Sequence, residues 1–191
     1  MIKQQKVTMV TKNQYKIEAM KKVLDVYGIG LEVENFYVPE IQADSCEEVV
    51  KFSVQYAANK CGKPVIKADA GLFIEALGGL PGIYTSPFQK KLGPSKVLKL
   101  MDGETNRKAH IVYALAYCEP NGEPIVFTGG CKGVISTELR GDEGMLIDYI
   151  FIPKGNNKTM GELKKEDPEK ATKAWGNAEK NFVKWLLKNK S

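Results

Sequence analysis

The chain has 191 residues, close to one ordinary domain, with 43% hydrophobic and 27% charged residues, a balance that excludes disordered, collagenous and low-complexity classes. At this length a chain buries roughly 70% of the surface its unfolded form exposes, so no disulfide or metal staple is needed. The four cysteines (Cys46, Cys61, Cys118 and Cys131) form no CxxC pair and the single histidine is His110, which argues against a zinc centre or a Ser-His-Asp triad and for a reducing, cytoplasmic compartment. The net charge is +5, but the basic residues are spread along the chain. Lys90-Lys91 and Lys164-Lys165 are short internal pairs, and neither is interleaved with aromatics, so a solvated surface is expected rather than a nucleic-acid stripe. No apolar run approaches the ~20 residues that span a bilayer, and the opening segment is not a signal peptide, so no membrane partner is expected.

In chain order, residues 6–10 form a short apolar run that predicts a first strand, leading through the polar turn Thr11-Lys12-Asn13-Gln14 into a helix. Ile17, Met20, Leu24 and Tyr27 recur at spacings of three and four, and Gly28 and Gly30 end that helix. Residues 31–38 read as a second strand stopped by Pro39. Ser45-Cys46-Glu47-Glu48 is a capping-box pattern, opening a helix with Val49, Phe52, Tyr56, Ala57 and Lys60 on one side and Gly62 at its end. Residues 64–67 predict a third strand, followed directly by Ala68-Asp69-Ala70-Gly71 and a glycine- and proline-rich loop over 77–82.

A short helix is expected over 95–101, and strands over 109–118 and 124–128 joined by the hairpin signal Pro120-Asn121-Gly122. Residues 131–136 extend the meander and 147–152 read as one more strand. Asp167-Pro168 opens a last helix, aspartate as cap and proline in the first turn, striped by Ala171, Ala174, Trp175, Ala178, Phe182, Trp185 and Leu186. With no repeat and no linker, the whole of 1–191 reads as one α/β domain with a mixed sheet.

Three places could carry chemistry. The strand-turn-helix at residues 7–18 offers free N–H groups and a partial positive charge to phosphate, with Thr11 and Asn13 adding hydrogen-bonding side chains and Lys16 a point charge; the same residues would also make an ordinary capped turn. Glu40 and Asp69 each lie just past a predicted strand, and two carboxylates without a histidine or thiolate partner suit a hard cation such as Mg²⁺, or are two solvated loop acids. Asp148 sits in the apolar string Met145-Leu146-Ile147, where a charge needs either a structural partner or a ligand. His110 alternates with apolar neighbours and reads as a sheet histidine. Trp175 precedes Gly176, which costs about 1 kcal/mol in a helix relative to alanine and signals close packing or a bend.

In combination these segments resemble the inosine/xanthosine triphosphate pyrophosphatases, the Ham1-like nucleotide hydrolases, nearly end to end. Thr11-Lys12-Asn13-Gln14-Tyr15-Lys16 is similar to the family's opening T-x-N-x-x-K loop, and Pro39-Glu40-Ile41-Gln42 to its P-E-I-Q segment. Residues 68–77, ADAGLFIEAL, are similar to its E-D-[ST]-G-L-x-[IV]-x-A-L signature, continued by Gly79-Leu80-Pro81-Gly82-Ile83-Tyr84. Asp148, followed by Phe151-Ile152-Pro153, lies where the family has F-G-Y-D and F-x-P. The resemblance implies an elongated mixed β-sheet flanked by helices, with two lobes around a nucleotide cleft, in a cytoplasmic homodimer. It implies hydrolysis of a nucleoside triphosphate between the α and β phosphates. By the same implication Glu40 and Asp69 hold Mg²⁺, Asp69 orients or deprotonates water, Thr11, Asn13 and Lys16 cradle the phosphates, and Asp148 contacts the base or ribose end.

The chain also departs from that pattern. The glutamate before the signature aspartate is Ala68, the small hydroxyl residue after it is Ala70, and the aromatic of F-G-Y-D is missing from Met145-Leu146-Ile147-Asp148. The C-terminal S-H-R motif, which in the family grips the purine 6-oxo group, is absent; counted back from Phe182, its His and Arg fall near Ala174 and Trp175. The family's first-helix glutamate stands one place early, at Glu18. Base selectivity is therefore expected to be weakened or redirected, with Trp175 either stacking on the base or packed in the core. A nucleotide-binding relative that has lost catalysis is the alternative to an enzyme.

Overall fold

The computed structural model describes residues 5–142 and 144–189. Strand β1 (Lys6–Val10) feeds helix α1 (Gln14–Asp25), and β2 (Gly30–Glu34) returns parallel to β1 with all five residues paired. Helix α2 (Cys46–Cys61) follows, opened by the Ser45 capping box and closed by Gly62 in the left-handed region, and β3 (Val65–Ile74) joins β1 in parallel. After a single 3₁₀ turn at Glu75–Leu77 come the two-residue β4 (Pro81–Gly82), α3 (Thr85–Lys91) and α4 (Gly93–Lys99). The long hairpin β5 (Lys108–Cys118) and β6 (Ile125–Ile135) is followed by α5 (Leu146–Ile150), β7 (Phe151–Pro153), α6 (Met160–Glu166), α7 (Pro168–Ala174) and α8 (Ala178–Asn189). The strands form one open mixed sheet in the order β2-β1-β3-β5-β6-β7, with β4 beside β3. Its β1–β2 and β1–β3 pairs are parallel and the rest antiparallel. This is the mixed sheet with flanking helices that the element order implied.

The core is strung along β3 and β5. At one end α1 and α8 lay Met20, Leu24, Phe182 and Leu186 on Ile66 and Leu115. On the opposite face α2 lays Val50, Val54, Ala57 and Ala58 on Val65, Ala114 and Ala116. At the other end of the same strands Leu72, Ile74 and Ile111 pack with Leu146, Ile150, Phe151, Met160 and Leu163. Two long strands serving separate cores make the sheet elongated.

Five local expectations are corrected. Strand β2 stops at Glu34 rather than Val38, because Phe36 and Val38 turn down to pack against the α2 core. Helix α2 buries Val49 and Ala57 as expected, but Phe52 and Tyr56 face outward while Cys46, Val50, Ser53, Val54 and Ala58 point in. Strand β3 does not end at Lys67: ten antiparallel pairs with β5 carry it through to Ile74, so Asp69 stands within a strand. Residues 147–150 are helical, and only Phe151–Pro153 is strand. The last helix is two, broken at Gly176 (φ +81°). A Cβ at Gly176 would sit 2.8 Å from the Gly129 Cα, so the bend and the close approach to β6 require glycine there.

Candidate active site

The polar residues singled out in the sequence gather where β1 ends. Beyond Val10 the turn into α1 is built by its own side chains. Asn13 N-caps the helix through Oδ1, which accepts from the backbone N–H of Tyr15 at 3.0 Å and of Lys16 at 3.4 Å, and Thr11 Oγ1 accepts from Asn13 N–H at 3.1 Å. Both act as acceptors in the turn, so their donors, the Thr11 hydroxyl proton and the Asn13 amide, are not spent there. Such helix entries place positive potential beyond the carboxyl ends of parallel strands, the usual ligand position in an open α/β sheet.

Lys16 joins this turn to β3. Its Nζ donates to the Ala68 carbonyl at 2.8 Å and stands 3.6 Å from Asp69 Oδ1, with both side chains about a quarter exposed or less (20% and 24%). Because β1 has ended, this part of β3 is open on the side where α1 begins. Lys67 shares Asp69's face by the two-residue period of a strand, and its Nζ reaches the Val10 carbonyl at 3.4 Å. Burial holds the Lys67 ammonium below its ordinary range, and the charge of Lys16 lowers it further, while Glu40 and Asp69 pull it back up. Glu40, exposed on the loop after β2, is thus within electrostatic reach of Lys67. Beneath them Cys46, fully buried at the start of α2, is hydrogen-bonded to Asp69; burial first and the Asp69 charge second push its thiol up to about 12.

The donor set bears on whether a metal fits. Glu40 and Asp69 offer oxygen alone, Cys46 stays a neutral thiol, and no group of three or more His, Cys, Asp or Glu placed to hold a metal occurs among the described residues. The two carboxylates are oxygen ligands of the kind a hard cation takes when phosphate oxygens complete its shell, while the Lys16 and Lys67 ammonium groups suit the phosphates rather than the cation.

Asp148 lies across from the turn, at the start of α5. Only 2% exposed, it accepts the Met145 N–H at 2.8 Å on Oδ2, while Oδ1 has no hydrogen bond and is met by charge alone, Lys164 Nζ standing 2.7 Å away. Lys164, on α6 and 43% exposed, also stands 5.7 Å from the centre of the Tyr15 ring. The structure therefore brings the Asp148 end and the Thr11–Lys16 turn together through one lysine. Trp175 is half-buried where the two end cores meet, edge-on to Tyr113 at 6.4 Å. Its backbone is pressed against β6, where a Cβ on Gly129 would come within 2.4 Å of the Trp175 carbonyl oxygen. His110 stacks on Phe73 at 5.0 Å, a sheet histidine as read.

Sequence reasoning missed Lys67, Cys46, Tyr15 and the role of Lys164. Lys67 carried a usable signal, since it lies two residues before Asp69. Lys164 carried none, because its partner is far away in the chain.

An open mixed-sheet α/β protein whose basic and acidic groups converge on one strand-turn-helix is the class that fold and site define. A profile of the Ham1 family matches residues 7–185, and the chain belongs to that family. It is 42% identical over 184 residues, 96% of this chain and 97% of the relative, to a dITP/XTP pyrophosphatase of Methanopyrus kandleri. It is 39% identical over 180 residues, 94% and 96% of the two chains, to a dITP/XTP pyrophosphatase of Thermococcus kodakarensis. Among solved structures, a HAM1 protein from Coxiella burnetii superposes with a TM-score of 0.82 at 26% identity, covering 96% of this chain and 99% of that one. The Ham1 protein of Staphylococcus aureus gives 0.80 at 26%, covering 98% and 100%.

Proposed function

We propose that this protein hydrolyses non-canonical purine nucleoside triphosphates, of the dITP/XTP kind, to the monophosphate and pyrophosphate, using Mg²⁺. The observation that carries the reading is the Lys16 ammonium, seated between the α1 turn and the Asp69 carboxylate. In this reading Thr11, Asn13 and Lys16 hold the phosphate chain, and Lys16 also fixes Asp69 beside it. Asp69 orients a water and takes its proton as the water oxygen bonds to the α phosphorus. The α-phosphorus–oxygen bond to the β phosphate breaks and pyrophosphate leaves. Bound jointly by Glu40, Asp69 and the phosphates, Mg²⁺ would neutralise charge on the polyphosphate. Asp148 acts on the nucleoside end through the lysine it holds, and Trp175 closes the wall between the two cores. One domain over residues 1–191 would place the nucleotide between two lobes, as a cytoplasmic homodimer.

The shortage of acids gives weight to a second reading, a nucleotide-binding relative without catalysis: Ala68 removes one carboxylate, and no three-ligand group replaces it among the described residues. Pyrophosphate release from ITP, XTP, dITP, ATP, GTP, CTP and UTP with Mg²⁺, beside Asp69→Asn, decides between them. Release from the wild type that falls at least a hundredfold in Asp69→Asn is the expected result. Nucleotide binding without release from any triphosphate would establish the binder.

A further inference from the structure

With the phosphates on the α1 turn, the base must be met by residues beyond that turn, and Lys164 is the charged group that stands there. We infer that Lys164 is the reader of the base, a specificity-determining residue that selects 6-oxopurines, held in place by Asp148 and facing Tyr15. The inference rests on the nucleoside triphosphate reading above and deepens it.

The carboxylate beneath Lys164 is fixed from several sides. Asp148 is 2% exposed and anchored by the Met145 N–H. Gly144 and Gly161 close over it so tightly that a Cβ on Gly144 would lie 2.3 Å from Asp148 Oδ2, and one on Gly161 3.0 Å from the Asp148 carbonyl oxygen. A carboxylate that cannot move fixes the ammonium that pairs with it at 2.7 Å. Lys164 is nevertheless 43% exposed, so the ammonium meets Asp148 as an ion pair and still reaches solvent, with donors left for a ligand. It also stands near the start of α1. Tyr15, 61% exposed, puts its ring centre 5.7 Å from Lys164 Nζ, and its backbone N–H is bonded to Asn13, the residue that caps the turn. A nucleotide with its phosphates on that turn would send its nucleoside past Tyr15 toward Lys164.

An ammonium is a donor with no acceptor. It therefore matches the O6 and N7 acceptors of hypoxanthine, xanthine and guanine, a pairing lysine makes with guanine in DNA, and meets a like donor in the 6-amino group of adenine. The exposed Tyr15 ring offers a face on which any base can stack. This division of labour makes Lys164 the discriminating group and Tyr15 a base-independent one.

The test is titration calorimetry of the full chain with Mg²⁺ and the non-hydrolysable α,β-methylene analogues of ITP, XTP, GTP and ATP, with inorganic tripolyphosphate as the base-free probe. The wild type is expected to bind the three 6-oxo analogues more tightly than the ATP analogue. Lys164→Met is expected to weaken those three by roughly 10- to 100-fold, one charged hydrogen bond, with the ATP analogue and tripolyphosphate within twofold of wild type. Tyr15→Leu, on the surface, is expected to weaken all four nucleotides together and leave tripolyphosphate unchanged. If Lys164→Met does not fold, Lys164→Met with Asp148→Asn, which leaves no buried unpaired charge, replaces it with the same expectation. Equal loss for the ATP analogue or tripolyphosphate, or no loss for the 6-oxo analogues, overturns the assignment. A wild type that binds tripolyphosphate but none of the nucleotides overturns the nucleotide reading itself.

Discussion

The Lys164–Asp148 pair is asymmetric, and the asymmetry gives a sharp expectation for stability. The aspartate is 2% exposed and the lysine 43%. Removing the lysine strands a carboxylate that water cannot reach, whereas neutralising the aspartate strands an ammonium that can swing into solvent. Breaking a buried pair from the side that leaves a charge behind costs about 3–5 kcal/mol. The Met145 N–H on Oδ2 at 2.8 Å offsets part of this, so Lys164→Met is expected near the lower end, about 3 kcal/mol. Asp148→Asn keeps an oxygen for Met145 and exchanges a charge-assisted bond for a neutral one, a loss of about 1 kcal/mol. In the Asp148→Asn background, adding Lys164→Met should cost under ~1 kcal/mol, because no charge is left to strand, giving a coupling of about 2 kcal/mol. For a domain of this size each 1 kcal/mol moves Tm by about 2–4 °C. Urea unfolding of the wild type, both single variants and the double variant measures all four corners of the cycle. Equal costs for the two single variants, or a Lys164→Met cost under ~1 kcal/mol, would refute the claim that the lysine is the main compensation of the buried carboxylate.

Gly176→Ala combines a left-handed φ of +81° with a Cβ 2.8 Å from both the Gly129 Cα and the Gly130 N, backbone atoms that cannot step aside. A loss of about 2–4 kcal/mol is expected in the same urea assay, and a loss within experimental error would show that the α7–α8 bend is free to move off β6. Glu179 is held above the ordinary carboxylate range, chiefly by burial, with hydrogen bonding to Tyr113 and the charge of Lys180 opposing. Its folded pKa lies above its unfolded one, so the native state binds more protons and stability falls as pH rises from about the ordinary value of 4.5 through the raised one. Glu179→Gln should therefore raise Tm at pH 7 relative to wild type and lose that advantage at pH 4; an equal offset at both pH values would contradict the burial argument.

Much of the local structure was legible in the sequence. Asn13 and Ser45 marked the starts of α1 and α2, and Gly62 the end of α2, because a cap is a bond between residues two or three apart and both partners stand side by side in the sequence. The turn of Thr11, Asn13 and Lys16 was readable as a capped helix entry for the same reason, whereas the pairing of β3 with β1 set Asp69 beside it. Tertiary structure decided what depends on distant partners. Asp69 became a strand residue because β5 pairs with β3 through Ile74, and residues 36–38 left the sheet for the α2 core. An apolar run such as 146–152 suits a buried helix and a buried strand equally, so packing made its first part helical. Likewise, nothing local said that Lys164 would find Asp148 or reach Tyr15. The sequence determined which chemical groups the site contains; the meeting of α1, β3, α5 and α6 determined which of them face one another, since burial and charge pairing depend on positions in space rather than along the chain.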